Sequence, residues 1–233
     1  LYAILGFFND FGEKWMLQTW GGPIEQAYFG VANQFASIAL LVSVSIIKVF
    51  WKEIAEAHKN KNFKLVKKLY FDSTRILFFV GLIISIPLLP WANNILSIIL
   101  GDSYTDGSIV FTIMLLYPIH QTIGQINGAM FYATESIKPY VIGNIAFMVI
   151  SIIITVIFLA PNDFFIPGLG LGAIGLAVKL VFLQYIHVNA FSWYLANKFN
   201  WHFDMVNQLF LLVLSLLFIY LSNLLIKQLS INN

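Results

Sequence analysis

The sequence contains no cysteine and few charged residues. The absence of cysteine excludes disulfide-stabilised folds, thiolate metal sites and cysteine nucleophiles. Charged residues make up 10% of the 233 positions and hydrophobic residues 59%, whereas soluble domains have about 25% and about 45 to 50%. The net charge of +2 is too small for a nucleic-acid-binding protein, which presents a clustered basic surface. These proportions predict an integral membrane protein.

Long apolar runs alternate with short polar segments along the chain. A helix needs about 20 apolar residues to cross a hydrocarbon layer of roughly 30 Å. The pattern therefore predicts an all-α polytopic membrane protein with seven transmembrane helices. The predicted spans are residues 1–19, 26–50, 71–90, 108–133, 140–160, 173–196 and 206–226, with a short interfacial helix at 94–100. The chain opens with Leu1 inside an apolar run, so we expect it to be part of a longer protein.

Lysine residues are concentrated in one set of loops. The loops at 51–68, 134–139 and 197–204 contain eight lysines. The loops on the other side contain no lysine or arginine, but they hold Glu25, Asp102, Asp106 and Asp163. Because basic residues that flank membrane spans stay in the cytosol, we expect the lysine-rich loops to be cytosolic. The loop at 51–68 is predicted to be solvated and helical.

Three ionisable residues interrupt the first predicted span, namely Asp10, Glu13 and Lys14. An ionisable side chain in mid-membrane costs at least about 2.5 to 3.5 kcal/mol unless it pairs or faces water. Spacings of three and four residues put all three on one helix face, where Asp10 can offset Lys14. Two interpretations stay open. The carboxylates either pair with Lys14, or they bind a coupling ion, H⁺ or Na⁺.

Polar side chains recur at helical spacing in later spans. In the second span they form a semi-polar face that is predicted to turn inward: Gln34, Ser37, Leu41, Ser45 and Lys48. In the fourth span they form a face that is predicted to be a cavity wall or a close helix contact: His120, Gln121, Gly124, Gln125 and Gly128. In the fifth span the aligned residues are Asn144, Met148, Ser151 and Thr155. The amides fit either hydrogen bonds between helices or contacts with sugar hydroxyls.

Lys179 and two histidines are the remaining ionisable candidates. Lys179 lies roughly 10 Å into the sixth span at 1.5 Å per residue. It either snorkels to the interface or faces a cavity, where it forms a cationic lumen with Lys14 and Lys48 that attracts an anionic head group. His120 and His187 have no histidine or carboxylate three or four residues further on in their spans, so a metal site on a single helix is not supported. We expect both histidines to be hydrogen-bonded or to line a cavity.

The segment 8–34 resembles a known membrane-protein signature. GEKWMLQTWGG at 12–22 and PIEQAYFGVANQ at 23–34 are similar to the seventh-to-eighth helix signature of Wzx-type polysaccharide flippases, in the multidrug/oligosaccharidyl-lipid/polysaccharide (MOP) exporter superfamily. Ala27 stands where that family usually has Gly, and Lys14 where Arg is common. The second difference matters for phosphate binding, because an ammonium cannot bind phosphate in a bidentate way.

The resemblance implies an architecture and a function. Residues 1–196 would form the second six-helix lobe of a MATE/MOP-type flippase, and residues 197–233 one further helix. Such a protein is not an enzyme and needs no cofactor. It moves an undecaprenyl-pyrophosphate-linked oligosaccharide across the bacterial inner (cytoplasmic) membrane in polysaccharide biosynthesis, for example of the O-antigen of lipopolysaccharide. The implied partners are this lipid-linked oligosaccharide, membrane lipid, H⁺ or Na⁺, and other polysaccharide assembly proteins.

Three alternatives stay open at this point. The first is a cation-coupled exporter of drugs or other small molecules from the same superfamily, which favours an anionic cavity. The second is a membrane-embedded glycosyltransferase or acyltransferase, which needs a catalytic His/Asp constellation or a large aqueous domain. The third is a structural or assembly subunit.

Overall fold

The computed structural model describes residues 2–203, 213 and 217, and residues 2–203 contain helices but no strand. The predicted all-α class is therefore confirmed. The helices are α1 (Tyr2–Lys59), α2 (Phe63–Ser85), α3 (Ala92–Leu100), α4 (Ser108–Met114), α5 (Tyr117–Ala133), α6 (Ile137–Leu159) and α7 (Gly172–Lys198), with 3₁₀ turns at Ile86–Trp91 and Asp102–Gly107. The predicted seventh span, 206–226, lies outside the described residues except at 213 and 217.

Several helices are long and apolar enough to cross a membrane. Within the described residues these are Phe63–Leu100, Asp102–Ala133, Ile137–Leu159 and Gly172–Lys198. A fifth span is counted if Ala3–Leu41 and Ile46–Lys59 are taken as one bent helix. The structure thus has the helices of a multi-pass membrane protein. The count of seven spans stays a prediction.

Helix α1 contains both the first and the second predicted span. Its backbone leaves helical geometry at Gly22, where φ is 87° and ψ is 176°, and Pro23 follows. Asn9 and Lys48 line cavities that share the residues Asn144, Gln184 and His187. Because 39 residues of straight helix would separate them by about 58 Å, the chain must fold back between them. Gly22 therefore divides α1 into an N-terminal arm and a C-terminal arm, between the predicted spans 1–19 and 26–50.

The predicted helical structure of the segment 51–68 is confirmed. Helix α1 continues to Lys59 and α2 begins at Phe63, while Ile54, Ala57 and Val66 of this segment pack into the core. Of the semi-polar face that was predicted to turn inward, Gln34, Ser37 and Leu41 are exposed, whereas Lys48 lines a cavity. The buried face carries Phe29, Ala32 and Ala36 instead, whose apolar or small side chains pack closely against neighbouring helices.

The core has two parts, one at each end of the helix bundle. One cluster contains Phe29, Leu82, Phe111 and Leu176, close to the loops without lysine. The other contains Tyr70, Phe131 and Leu195, together with Ile54 and Val66, close to the lysine-rich segments. The predicted short helix at 94–100 is confirmed as α3, and the predicted fourth span is divided into α4 and α5. Polar side chains such as Gln121, Asn144 and Gln184 line cavities in the bundle, which are described below.

Candidate functional site: two linked cavities and a buried ion pair

A cavity of about 540 Å³ lies between the C-terminal arm of α1 and helices α5, α6 and α7. Part of its lining consists of four amides, one lysine, one histidine and three aromatic rings: Gln121, Gln125, Asn144, Gln184, Lys48, His187, Trp51, Tyr132 and Tyr140. Lys48, Trp51 and Tyr132 are exposed, so the cavity opens to the surface. It opens at the lysine-rich end of the bundle, because Tyr132 lies at the end of α5 and Tyr140 near the start of α6.

The predicted polar face of α5 is confirmed as a cavity wall for four of its five residues. Gln121, Gly124, Gln125 and Gly128 all line the cavity. The two glycines let neighbouring side chains approach the helix closely, since a Cβ atom would lie 3.0 Å from Gln184 Nε2 at Gly124 and 2.9 Å from the Tyr140 hydroxyl at Gly128. The Gln184 amide donates a hydrogen bond to the Gln121 side-chain oxygen. An amide can donate and accept hydrogen bonds at once, as sugar hydroxyls do. The wall can therefore bind a polyhydroxylated ligand.

His120 does not belong to this wall. It is buried between the rings of Phe78 and Tyr185, with centroid distances of 5.7 and 4.9 Å. Its Nε2 atom has no hydrogen-bond partner among the described residues. The expectation for this histidine is thus wrong, because its helix turns the ring toward aromatic neighbours. His187 lines the cavity as expected and contacts Phe147 and Phe191 with its ring.

A second, smaller cavity of about 140 Å³ continues from the first. The two share Asn144, Gln184 and His187, and the smaller one extends to Asn9 and Ser151. Both of these residues donate hydrogen bonds to Oε1 of Glu13, Asn9 from Nδ2 over 3.2 Å and Ser151 from Oγ over 2.5 Å. The smaller cavity therefore connects the open cavity with the two side chains that hydrogen-bond to Glu13, and its remaining wall is apolar: Phe147, Met148, Leu180 and Leu183.

Glu13 forms a buried ion pair with Lys179. The Lys179 Nζ atom lies 2.6 Å from Glu13 Oε1, and the residues are 1% and 5% exposed. Lys179 therefore neither snorkels to the interface nor faces the open cavity, and both predictions for it are wrong. Lys179 stays buried for an electrostatic reason, because the Glu13 carboxylate neutralises its charge within the protein.

Asp10 and Lys14 pair with each other on the outside of the N-terminal arm. Lys14 Nζ lies 2.6 Å from Asp10 Oδ2; the Asp10 side chain is exposed and that of Lys14 is partly exposed. The predicted pairing of Asp10 with Lys14 is confirmed, whereas Glu13 has a different lysine as its partner. The predicted cationic lumen is wrong, because Lys14 is on the surface, Lys179 is buried and Lys48 alone lines the open cavity.

Several site residues were not found among the sequence candidates. They include Asn9 and Gln184, and the aromatic residues Trp51, Tyr132 and Tyr140 of the open cavity. Gln184 and His187 are three residues apart on α7, a spacing that puts both on one face and would have indicated a polar wall. The sequence gives a weaker indication of the pairing of Glu13 with Lys179, because it shows only two opposite charges in separate apolar segments. Comparison with protein-family models, with curated proteins and with solved structures gave no significant match.

Proposed function

We propose that this protein transports a lipid-linked oligosaccharide across the membrane, with the open cavity as the binding site for its sugar and phosphate groups. The observation that carries the proposal is the chemistry of the cavity wall. Amides and three aromatic rings offer hydrogen bonds and apolar faces, and Lys48 supplies one positive charge. Sugars bind through hydroxyl hydrogen bonds and the apolar faces of their rings, and a lysine attracts phosphate as a point charge. This combination suits a glycosylated, phosphate-bearing lipid.

The proposed architecture extends the described helices to the whole chain. The two arms of α1, then α2, α4 with α5, α6 and α7 would be six passages, and residues 206–226 a seventh. Residues 1–196 would form the second six-helix lobe of a MATE/MOP-type flippase. The lysine-rich ends would face the bacterial cytosol. The substrate would be an undecaprenyl-pyrophosphate-linked repeat unit of a polysaccharide, and other polysaccharide assembly proteins would be partners.

Two rival functions receive less support from the site. A cation-coupled drug exporter favours an anionic cavity, but no carboxylate is among the described residues that line the open cavity. A membrane-embedded transferase needs an acid or base held against a partner, whereas the histidine of the wall, His187, has no hydrogen-bond partner for Nε2 among the described residues. Coupling to H⁺ or Na⁺ through Asp10 and Glu13 is also less favoured, because each carboxylate already has a lysine at 2.6 Å.

Lys48 provides a direct test. The full-length protein reconstituted in vesicles should move a fluorescent lipid-linked oligosaccharide at a rate that falls about tenfold or more in Lys48→Ala, because a charge-assisted contact with phosphate contributes about 1.5 to 3 kcal/mol. Lys52→Ala is the matched control, since Lys52 is exposed one turn further along α1 and does not line the cavity.

The sugar contact has a separate test. Gln125→Leu keeps the volume of the cavity wall but removes an amide, so translocation should fall while binding of the lipid carrier without its sugar stays unchanged. Equal rates for the wild type, Lys48→Ala and Gln125→Leu would contradict the proposal that this cavity binds the substrate. Turnover of the lipid-linked sugar in place of movement would favour the transferase.

A further inference from the structure

Helices α1 and α2 meet in a corner, residues 59–68, that carries positive charge on its surface. Four lysines of this corner are exposed: Lys59, Lys61, Lys64 and Lys68. The ion pairs between described residues involve none of them. A lysine that is exposed and has no carboxylate partner attracts anions from its surroundings. The corner therefore offers several positive charges to a negatively charged partner.

Hydrogen bonds and core packing fix the direction of these lysines. The backbone N–H of Asn62 closes the end of α1 with a hydrogen bond of 2.9 Å, and the Asn62 side chain accepts one of 3.1 Å from the backbone N–H of Leu65. Val66 packs into the core. Because Lys64 and Lys68 are two positions to either side of Val66, they lie on the opposite, outer face of α2.

Aromatic residues indicate where the membrane surface meets the corner. Trp51 on α1 and Tyr70 on α2 are ten and nine positions from Lys61, and tryptophan and tyrosine gather where hydrocarbon meets headgroups. At 1.5 Å per residue, Lys68 lies about 3 Å and Lys64 about 9 Å beyond Tyr70 along the helix. The headgroup layer is about 5 to 8 Å thick on each side. Lys68 is thus expected within this layer and Lys64 at its outer edge.

The outer face of α2 continues into an apolar surface, which favours a lipid over a soluble anion. Further along the same face, Ile76, Phe79 and Ile83 are exposed by 47%, 54% and 56%. Asp72 and Arg75 lie between them and the lysines and carry opposite charges, so they add no net charge. One face therefore presents positive charge at the level of the headgroups and apolar side chains at the level of the acyl chains.

We propose that the outer face of α2, with Lys61, Lys64 and Lys68 at its charged end, binds an anionic phospholipid of the surrounding bilayer. Its phosphate group lies against the lysines, and its acyl chains lie along Ile76 and Phe79. Attraction between lysine and an anionic headgroup acts over a Debye length of about 8 Å at physiological ionic strength. The site is on the outside of the bundle and is independent of what the open cavity transports.

Photo-crosslinking of the full-length protein tests this site in nanodiscs with equal parts of phosphatidylglycerol and phosphatidylcholine. The sequence has no cysteine, so a benzophenone maleimide labels Leu65→Cys alone. We expect it to capture phosphatidylglycerol about fivefold more often, which corresponds to about 1 kcal/mol, the attraction of one lysine near the surface. Phe165→Cys replaces an exposed apolar residue near the opposite end and should capture both lipids equally. No preference at residue 65, or the same preference at residue 165, would overturn the proposal.

Glutamine variants assign the preference to particular lysines. Lys61→Gln/Lys64→Gln/Lys68→Gln keeps the length of the side chains and removes their charge, so the two lipids should be captured nearly equally at residue 65. Lys138→Gln is the control, because Lys138 is exposed at the start of α6 and belongs to another lysine-rich loop. It should leave the preference unchanged. A full preference in the triple variant, or an equal loss in Lys138→Gln, would contradict the proposed site.

Two changes of buffer distinguish a lipid from a soluble anion. Sodium phosphate in place of NaCl at equal ionic strength should leave the preference unchanged, whereas displacement by phosphate would identify a site for a soluble anion and refute the lipid site. In 1 M NaCl, where the Debye length is about 3 Å, the preference should decline. A preference that does not respond to salt would show that lysine charge is not its cause. None of these measurements involves transport, so their failure leaves the proposed function unaffected.

Discussion

Asn127 connects three helices through its side chain. Its Oδ1 atom accepts a hydrogen bond of 2.8 Å from the Tyr70 hydroxyl on α2. Its Nδ2 atom donates hydrogen bonds of 3.0 Å to the Val188 carbonyl oxygen and to Ser192 Oγ, both on α7. The residue is 1% exposed, so water cannot replace a lost partner. An amide in this position fixes the distance between α2, α5 and α7, which support the wall of the open cavity.

We predict that Asn127→Ala lowers the free energy of unfolding by about 2 kcal/mol, because it removes the buried hydrogen bonds that α5 makes to α2 and α7 through this side chain. Interhelical hydrogen bonds within membranes contribute about 0.6 kcal/mol each on average, and this value sets the lower limit of the loss expected for each hydrogen bond. The expected fall in Tm is about 4 to 8 °C. Asn189→Ala is the matched control, since the Asn189 amide donates to the Tyr185 carbonyl oxygen of its own helix. An equal effect of the two variants would contradict the role of Asn127.

At the scale of elements, the reversal of α1 at Gly22 determines which residues meet. It brings Lys48 of the C-terminal arm to the wall of the open cavity and Asn9 of the N-terminal arm to the smaller one. Glu25, just after the reversal, accepts a hydrogen bond of 2.6 Å from the backbone N–H of Ala173. Because Ala173 lies in the first turn of α7, this carboxylate also neutralises the positive end of that helix. The reversal is thus fastened to α7.

We predict that Gly22→Ala lowers the free energy of unfolding by about 1 to 3 kcal/mol, because a φ of 87° with a ψ of 176° is a conformation that only glycine adopts without strain. Gly30→Ala is the control. A Cβ atom would meet nothing within 4 Å at either position, and Gly30 is helical. Alanine at residue 30 should therefore be neutral or stabilising by up to about 1 kcal/mol. Denaturation of both variants in detergent measures the difference, and equal stability would show that the reversal does not depend on Gly22.

The described part of the molecule differs between its two ends. The open cavity lies at the end that carries the lysine-rich segments, whereas the cluster around Phe111 and the ring contact between Trp20 and Phe164 lie toward the opposite end. If the lysine-rich end faces the cytosol, as the charge distribution predicts, the proposed substrate would enter the cavity from the cytosolic side. The proposed transport would then run outward.

Single-cysteine labelling tests this orientation, because the sequence contains no cysteine that would interfere. We predict that Asn60→Cys reacts with a membrane-impermeant maleimide only after the cells are opened. Asp163→Cys should react in intact cells. Both residues are exposed and lie at opposite ends of the bundle, so each serves as the control for the other. Labelling of Asn60→Cys in intact cells would contradict the predicted orientation and, with it, the proposed direction of transport.

Part of the site was accessible to prediction from local spacing. Gln121, Gly124, Gln125 and Gly128 repeat along one face of a helix, and a repeat of this kind shows in the sequence because it depends only on helical geometry. The pairing of Asp10 with Lys14 was also predictable, because the two residues are one helical turn apart. The burial of His120 between Phe78 and Tyr185 was not, since both rings come from other helices.

The sequence by itself determined that the chain is helical, that it has the apolar segments of a membrane protein and that one set of its loops is rich in lysine. Each of these properties follows from composition and local periodicity. Only the tertiary structure decided which polar groups share a space. The partner of Glu13 is Lys179, 166 positions away, and not Lys14 in the next position. Attraction between charges depends on distance in space, and that distance is set by the reversal at Gly22 and by the packing of α1 against α6 and α7.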